Sequence, residues 1–300
     1  MDRSWSYLHT VIAPLRRLTA LCALGAALAA CGTARTPTPH TASPHAARPA
    51  PSAASPSVTV SRPPTLAPGP AGLTPVFKNG PRTGHGKVVA LTFDADMTAD
   101  QGPRAAAGEH FDNPGLIEAL RTLKVPATVF MTGRWAQQYP AQARAIDHDP
   151  LFEIANHSYS HYAFTGDCYG LPTVAPERMR EDVERAYAAF RAAGVKDARP
   201  YFRFPGGCYD RDALRELSGT GVTAVQWDVV SGDAFATDAD AVALQVLDGV
   251  RPGSVVVMHC TRSAAPTTER VVRSVVPELR KRGYRFVKVS ELIGAANGRP

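Results

Sequence analysis

Val88-Val-Ala-Leu-Thr-Phe93, followed at once by Asp94-Ala-Asp96, is the stretch whose reading decides the fold. Five of the first six residues are apolar with no polar alternation, which marks a strand covered on both faces, as in a parallel sheet. If the chain stays extended through the acidic pair, a period of two puts Asp94 and Asp96 on one face. Two carboxylates so close repel, and both remain ionised only beside a cation or a strong donor. The pattern outward from this strand repeats. A helix opened by Asn113-Pro114 runs to 123, a strand covers 127–131, and helix covers 136–145. A short strand at 152–155 is followed by an amphipathic helix over 176–193, closed by Gly194. Extended chain at 201–204 meets Pro205-Gly-Gly207, and a helix follows at 211–218. Strands at 222–227, 254–258 and 285–289 alternate with helices at 238–250 and 267–282, and a short helix ends the chain. Strands alternating with helices imply an α/β fold with parallel strands covered by helices. About seven such units predict a distorted (β/α) barrel, slightly short of the eightfold one.

The remainder of the 300 residues divides by composition. Arg16-Arg17 precede an apolar run, 18–30, of about a dozen residues, which suits a secretory signal; a spanning helix needs about 20. Leu28-Ala-Ala-Cys31 resembles the bacterial lipoprotein box, which would place a lipid on Cys31 and the protein on the outer face of the cell membrane. An ordinary cleaved signal with Cys31 as bystander is the alternative, and Arg16-Arg17 also suits twin-arginine export. Residues 31–84 are rich in Pro, Ala, Ser and Thr and predict a disordered tether. That leaves 85–296 as a single domain with one core, expected to be monomeric. A signal over 1–30 takes Asp2, Arg3, Arg16 and Arg17 with it, lowering the net charge from +6 to +4. The basic residues form no nucleic-acid stripe. Three cysteines remain, Cys168, Cys208 and Cys260, enough for one disulfide and one free thiol with the pairing open. Cys208 and Cys260 each adjoin a polar motif and are expected to be neighbours.

Each polar cluster falls just after a strand: Asp94 and Asp96, then Asn156 to His161, then Arg203 to Gly207, then Asp228 and Asp233, then His259. In parallel α/β barrels the carboxyl ends of strands share one rim, where active sites form. His157 and His161 have the four-residue spacing that presents two imidazoles to one metal from a helical turn. Ser158 stands where a zinc protease would carry glutamate. Two histidines and one carboxylate leave coordination positions open, as hydrolytic metal chemistry requires. Trp135 and Trp227 read as core or cleft-wall packing, with Trp227 also a candidate sugar platform in the substrate-binding cleft; Glu109, His110 and Asp112 read as a solvated insertion, with a second metal site as the alternative.

Together the motifs resemble the polysaccharide deacetylase family, also called the NodB-homology domain or carbohydrate esterase family four. The resemblance spans 87–292 and rests on Thr92-Phe-Asp-Ala-Asp96, His157-Ser-Tyr-Ser-His161, Arg203-Phe-Pro-Gly-Gly207, Trp227-Asp-Val-Val-Ser-Gly-Asp233 and Val257-Met-His259, in that order. It implies a NodB-like barrel and hydrolysis of N-acetyl groups on a cell-wall or extracellular polysaccharide, peptidoglycan or an N-acetylglucosamine polymer. It further implies a divalent metal, usually zinc, with Co2+, Ni2+ or Mn2+ as alternatives, held by Asp96, His157 and His161. Asp94 would be the general base and His259 the general acid, with Arg203 orienting Asp94 and Asp233 tuning His259. A backbone N–H among Pro205, Gly206 and Gly207 would hold the oxyanion, and Val257 would line the methyl pocket. Ala95 separates two aspartates that are adjacent in the common pattern, which leaves the base and ligand roles of Asp94 and Asp96 exchangeable. Gly206 stands where a tyrosine is common, with Tyr209 as its expected substitute in the cleft, and Ala234 replaces a tryptophan beside Phe235. Other readings are an acetyl esterase or amidase on different acylated substrates, or a glycan-binding lipoprotein without activity.

Overall fold

The computed structural model describes residues 62–298. Its strands are β1 (Val76–Phe77), β2 (Val88–Ala95), β3 (Ala127–Met131), β4 (Phe152–Asn156), β5 (Ala198–Phe202), β6 (Thr223–Val225), β7 (Val229–Val230), β8 (Ser254–His259) and β9 (Arg285–Phe286). All pair in parallel in the order β1-β6-β5-β4-β3-β2-β8-β7, with β9 alongside β2. The helices are α1 (Gln101–Ala106), α2 (Pro114–Thr122), α3 (Gly133–Gln138), α4 (Pro140–Asp147), α5 (Met179–Ala193), α6 (Arg211–Glu216), α7 (Ala239–Gly249), α8 (Thr268–Lys281) and α9 (Val289–Ala296). This is the distorted (β/α) barrel that the alternation predicts.

The expected strand over 222–227 is shortened to β6, and a second strand, β7, follows beyond it. β6 pairs with β5 and β1; the chain then crosses at Trp227, and β7 pairs with β8. One segment thus passes from one side of the sheet to the other and carries the wall of the barrel between them. The helix expected over 136–145 is likewise two, because Pro140 offers no N–H to continue α3 and instead opens α4. Side-chain caps mark four of the starts: Asn113, Thr132, Asp210 and Asp238 each accept a backbone N–H of the helix they precede.

Successive residues of β2 go to different sides. Val89, Leu91, Phe93 and Ala95 join the large cluster beneath the helices, whereas Val88 and Ala90 join Phe130, Ala155, Tyr201, Val225 and Val255. That second cluster includes Val289, Leu292 and Ile293 of α9, which covers the end where β2 begins. The alternate set 88, 90, 92 therefore leads along one face to Asp94 at the opposite end.

Residues 62–84 are not free tether. β1 adds to β6, Phe77 is buried, Leu66 N–H donates to Thr223 Oγ1 (3.0 Å) and Tyr201 Oη donates to Pro64 O (2.9 Å). A few apolar residues inside a proline-rich stretch suffice to dock it, which composition averaged over the segment conceals. The expected signal, the Cys31 box and the tether before residue 62 lie outside the described residues. The disulfide joins Cys168 to Cys208, while Cys260 is buried with a free thiol that burial pushes up to about 12. Cys208 and Cys260 are therefore not partners. They lie on different loops, and Cys260 packs into the core beneath the helices.

Candidate active site

The register of β2 on β8 sets Asp94 directly opposite His259, so two groups 165 positions apart emerge at one level. Arg203, just past β5, lies beneath them and is fully buried. A buried guanidinium needs partners for its donors. Arg203 donates to Asp94 Oδ1 (2.6 Å), Thr92 Oγ1 (2.8 Å) and Val225 O (3.2 Å), and lies 3.9 Å from the centroid of the Phe130 ring. Burial pulls this guanidinium below its ordinary value, against the charge of Asp94 and its hydrogen bond. The same residue's carbonyl accepts from His157 Nδ1 (2.9 Å). Arg203 thereby positions both an aspartate and a histidine.

With Nδ1–H spent on a carbonyl, neutral His157 turns the lone pair of Nε2 toward Asp94 Oδ2, 3.6 Å away. Burial drives its pKa down to about 4, the neighbouring Asp94 opposing, so the ring is neutral at ordinary pH. His161 Nε2 stands 3.4 Å from Asp96 Oδ2, and the two imidazole centroids are 5.0 Å apart. Burial would raise the pKa of Asp96, but the charges of His161 and His259, a hydrogen bond from Thr261 and the charge of His157 together hold it below the usual value. The Thr261 hydroxyl donates to Asp96 Oδ1.

The segment 157–161 is not the helical turn expected from its spacing. Ser158 (φ 70°) and His161 (φ 58°) are left-handed, a conformation costing on the order of 1 kcal/mol or more for a residue with a side chain. The loop is held by Asn156 Oδ1 accepting from Ser158 N–H (2.8 Å) and Ser158 Oγ from His161 N–H (2.9 Å). Asp182 of α5 accepts from Tyr159 N–H (3.0 Å) and from the Ser160 hydroxyl (3.2 Å).

His259 Nδ1–H donates to Asp233 Oδ1 (2.8 Å), and its backbone N–H donates to Oδ2 (2.8 Å). Ser231 and Thr268 hydroxyls supply two more bonds to the same carboxylate, at 2.9 and 2.7 Å. Burial alone would lower the pKa of His259; the Asp233 hydrogen bond and charge, with Asp96 and Asp94 adding, raise it to about 9. The ring is a cation at neutral pH.

These groups share a pocket of about 240 Å³, whose lining includes Asp94, Asp96, His157, His161, His259, Gly206, Trp227 and Val257. Of the expected residues, Pro205 is buried below it, and Gly207 lies so close under Trp227 that a Cβ there would be 2.4 Å from the indole. Tyr209 is not in the cleft. Its ring stacks on Phe204 at 5.3 Å, because the apolar cluster beside α6 offers more burial than the open cleft. Asp228 is an anchor, accepting from Arg82 (2.8 Å), the Ser254 hydroxyl (2.8 Å) and Val255 N–H (2.7 Å). Thr261, Ser231, Thr268 and Asp182 escaped the sequence reading. Thr261 carries the period-two signal with His259 that Asp94 and Asp96 carry with each other.

The polysaccharide deacetylase family model matches residues 82–225. A chitooligosaccharide deacetylase of Sinorhizobium fredii is 30% identical over 219 residues, covering 68% of this chain and 91% of that protein. The chain belongs to the polysaccharide deacetylase family. The solved structure of a peptidoglycan N-acetylglucosamine deacetylase superposes with a TM-score of 0.61 at 23% identity, over 73% of this chain and 92% of that one. An acetyl xylan esterase of family four from Clostridium thermocellum, solved with a cobalt ion, gives 0.56 at 24%, over 71% and 93%. The expected family and the NodB-like barrel are thereby met.

The family's hydrolases depend on a metal, and the donors here fit one in kind. Among the described residues, no group of three His, Cys, Asp or Glu side chains is arranged to hold an ion as the side chains stand. The donors form two facing pairs instead, Asp94 with His157 and Asp96 with His161. A neutral imidazole anchored through Nδ1 and pointing Nε2 at a carboxylate has the form of a supported metal ligand. In this arrangement a lone pair faces an anion, which a positive charge between them relieves.

Proposed function

We propose that this polysaccharide deacetylase hydrolyses N-acetyl groups on amino sugars of a cell-wall or extracellular polysaccharide, peptidoglycan or an N-acetylglucosamine polymer. The observation that carries the reading is the charged His259 opposite Asp94 in one pocket. An amide's amine leaves poorly as an anion, so its cleavage needs an acid already protonated at working pH. Asp94, held by Arg203, takes the proton of the attacking water as oxygen adds to the carbonyl carbon. His259, held by Asp233, gives its proton to nitrogen as the carbon–nitrogen bond breaks, releasing acetate and a free amine. In the 205–207 turn Pro205 has no N–H and Gly207 N–H is spent on Phe204 O (2.8 Å), leaving Gly206 N–H as the donor for the oxyanion. Val257 bounds the space for the methyl group.

Asp96, His157 and His161 would hold a divalent cation, zinc first and Co2+, Ni2+ or Mn2+ as alternatives, with Thr261 steadying Asp96. When bound, such an ion lowers the pKa of a water toward about 7 and polarises the carbonyl. We further propose export by the 1–30 signal and anchoring through a lipid on Cys31, with the tether before residue 62 carrying a monomeric catalytic domain to the wall. Among the described residues no helix is long and apolar enough to cross a membrane. The test is acetate release by the zinc-loaded protein from peptidoglycan, N-acetylglucosamine oligomers and acetyl-xylan. Release from either of the first two is expected. Release from acetyl-xylan alone moves the assignment to an esterase, and glycan binding with no release from any substrate ends the enzymatic reading.

A further inference from the structure

Among the described residues, three exposed large apolar side chains rim the pocket that holds Asp94, His157 and His259: Tyr169 (78% exposed), Val230 (50%) and Phe235 (84%). Apolar groups left exposed at the mouth of a polar site cost free energy in water and signal something that covers them. Two of them are aromatic and come from opposite walls. Phe235 lies two residues beyond Asp233, on the His259 side. Tyr169 belongs to the loop beyond His161 and follows Cys168, which the disulfide to Cys208 ties to the Pro205–Gly207 turn. Their ring centroids are 6.4 Å apart, tilted by 40°, within aromatic contact range across the mouth.

The Tyr169 wall is built. Tyr169 has φ +53°, a left-handed conformation that a tyrosine does not adopt unaided. The disulfide at the preceding residue and a turn closed by Leu171 N–H on Cys168 O (2.9 Å) hold it there. Gly206 makes room for it. A Cβ at 206 would meet Cys168 Sγ at 2.6 Å and Tyr169 Cδ2 at 3.3 Å. A side chain at 206 and this loop exclude each other, so the wall at this point is lent by Tyr169 from another part of the chain.

We propose that Tyr169 and Phe235 form a two-ring clamp that grips one pyranose ring of the substrate over the reacting acetamide, with the Cys168–Cys208 disulfide fixing the Tyr169 jaw. The choice of a sugar ring rests on the deacetylase reading. A pyranose presents C–H faces that match the faces of aromatic rings, and hydroxyls at its edge that stay hydrated in an open mouth. The rings already lie within aromatic contact range, and with Tyr169 held by the disulfide the Phe235 jaw is the one that parts to admit the sugar.

The test is calorimetric titration of the zinc-loaded full chain with the tetramer of N-acetylglucosamine. Tyr169→Ala and Phe235→Ala are each expected to weaken binding on the order of 10-fold, equivalent to about 1.4 kcal/mol. Tyr169→Phe and Phe235→Tyr retain it, and Leu244→Ala, an exposed apolar residue outside the pocket, leaves it unchanged. Cys168→Ser with Cys208→Ser weakens binding, and Tyr169→Ala added to that pair weakens it little more. Wild-type affinity in both alanine variants overturns the clamp, and so does a wild type that does not bind the tetramer. Clamp-dependent binding without acetate release from any glycan removes the deacetylase reading and leaves the clamp. Acetate release with affinity insensitive to both rings does the reverse.

Discussion

Replacing Arg203 by methionine tests the central assembly. The wild-type guanidinium is fully buried, makes three hydrogen bonds at 2.6, 2.8 and 3.2 Å, and stacks on Phe130. Methionine keeps much of the packing but strands the buried Asp94 carboxylate without its countercharge. Removing one partner of a buried ion pair costs about 3–5 kcal/mol. Asp94→Asn alone leaves Arg203 short of its anion and is expected to cost a comparable amount. With Arg203→Met and Asp94→Asn combined, neither charge is stranded, so the double variant should be more stable than the sum of the singles predicts by about 2 kcal/mol or more. The assay is urea unfolding of the four proteins at one pH, analysed as a double-mutant cycle. The double variant should also lack turnover, separating the stabilising role of Arg203 from the chemical role proposed for Asp94. Costs that add to within about 0.5 kcal/mol would show that the pair does not act as a unit and refute the reasoning.

Four further outcomes follow from the geometry. Asp233→Asn removes the charge that raises His259 to about 9, so the alkaline limb of the kcat/KM profile should fall from near 9 toward 6.5; an unmoved limb would dissociate Asp233 from the acid. The same pair contributes stability that is fully present below pH 6.5 and is lost as pH rises through about 9, a dependence that His259→Gln should flatten in thermal unfolding. His161→Ala should abolish turnover and cut bound zinc, read by elemental analysis, while the domain stays folded; a metal-replete, active variant would contradict the ligand assignment. Gly206→Ala combines a φ of +63° with a contact 2.6 Å from Cys168 Sγ and should lower stability by about 1–2 kcal/mol, measured by denaturant unfolding.

Much of this molecule is legible in one dimension because strands and polar ends are local features. The apolar run 88–93 marks a doubly covered strand, and the carboxylates that follow it mark its functional end. The period of two correctly placed Asp94 and Asp96 in one pocket. The same local logic misled at 157–161, where four-residue spacing suggests a helical turn. The real loop is shaped by Asp182, 21 positions beyond His161, and by two left-handed residues no pattern announces. Proximity to its motif points Tyr209 toward the cleft, but a ring settles where most of its surface is buried, which here is against Phe204.

What the sequence by itself determined is the alternation of strands and helices, the family and the candidate reactive groups, since each is written in contiguous residues. Only the tertiary structure decided which cysteines pair, how Arg203 serves Asp94 with its side chain and His157 with its carbonyl, and that Tyr169 faces Phe235 across the mouth. Those facts depend on the register between strands and on competition for buried space, and both are set by contacts between residues far apart in the chain.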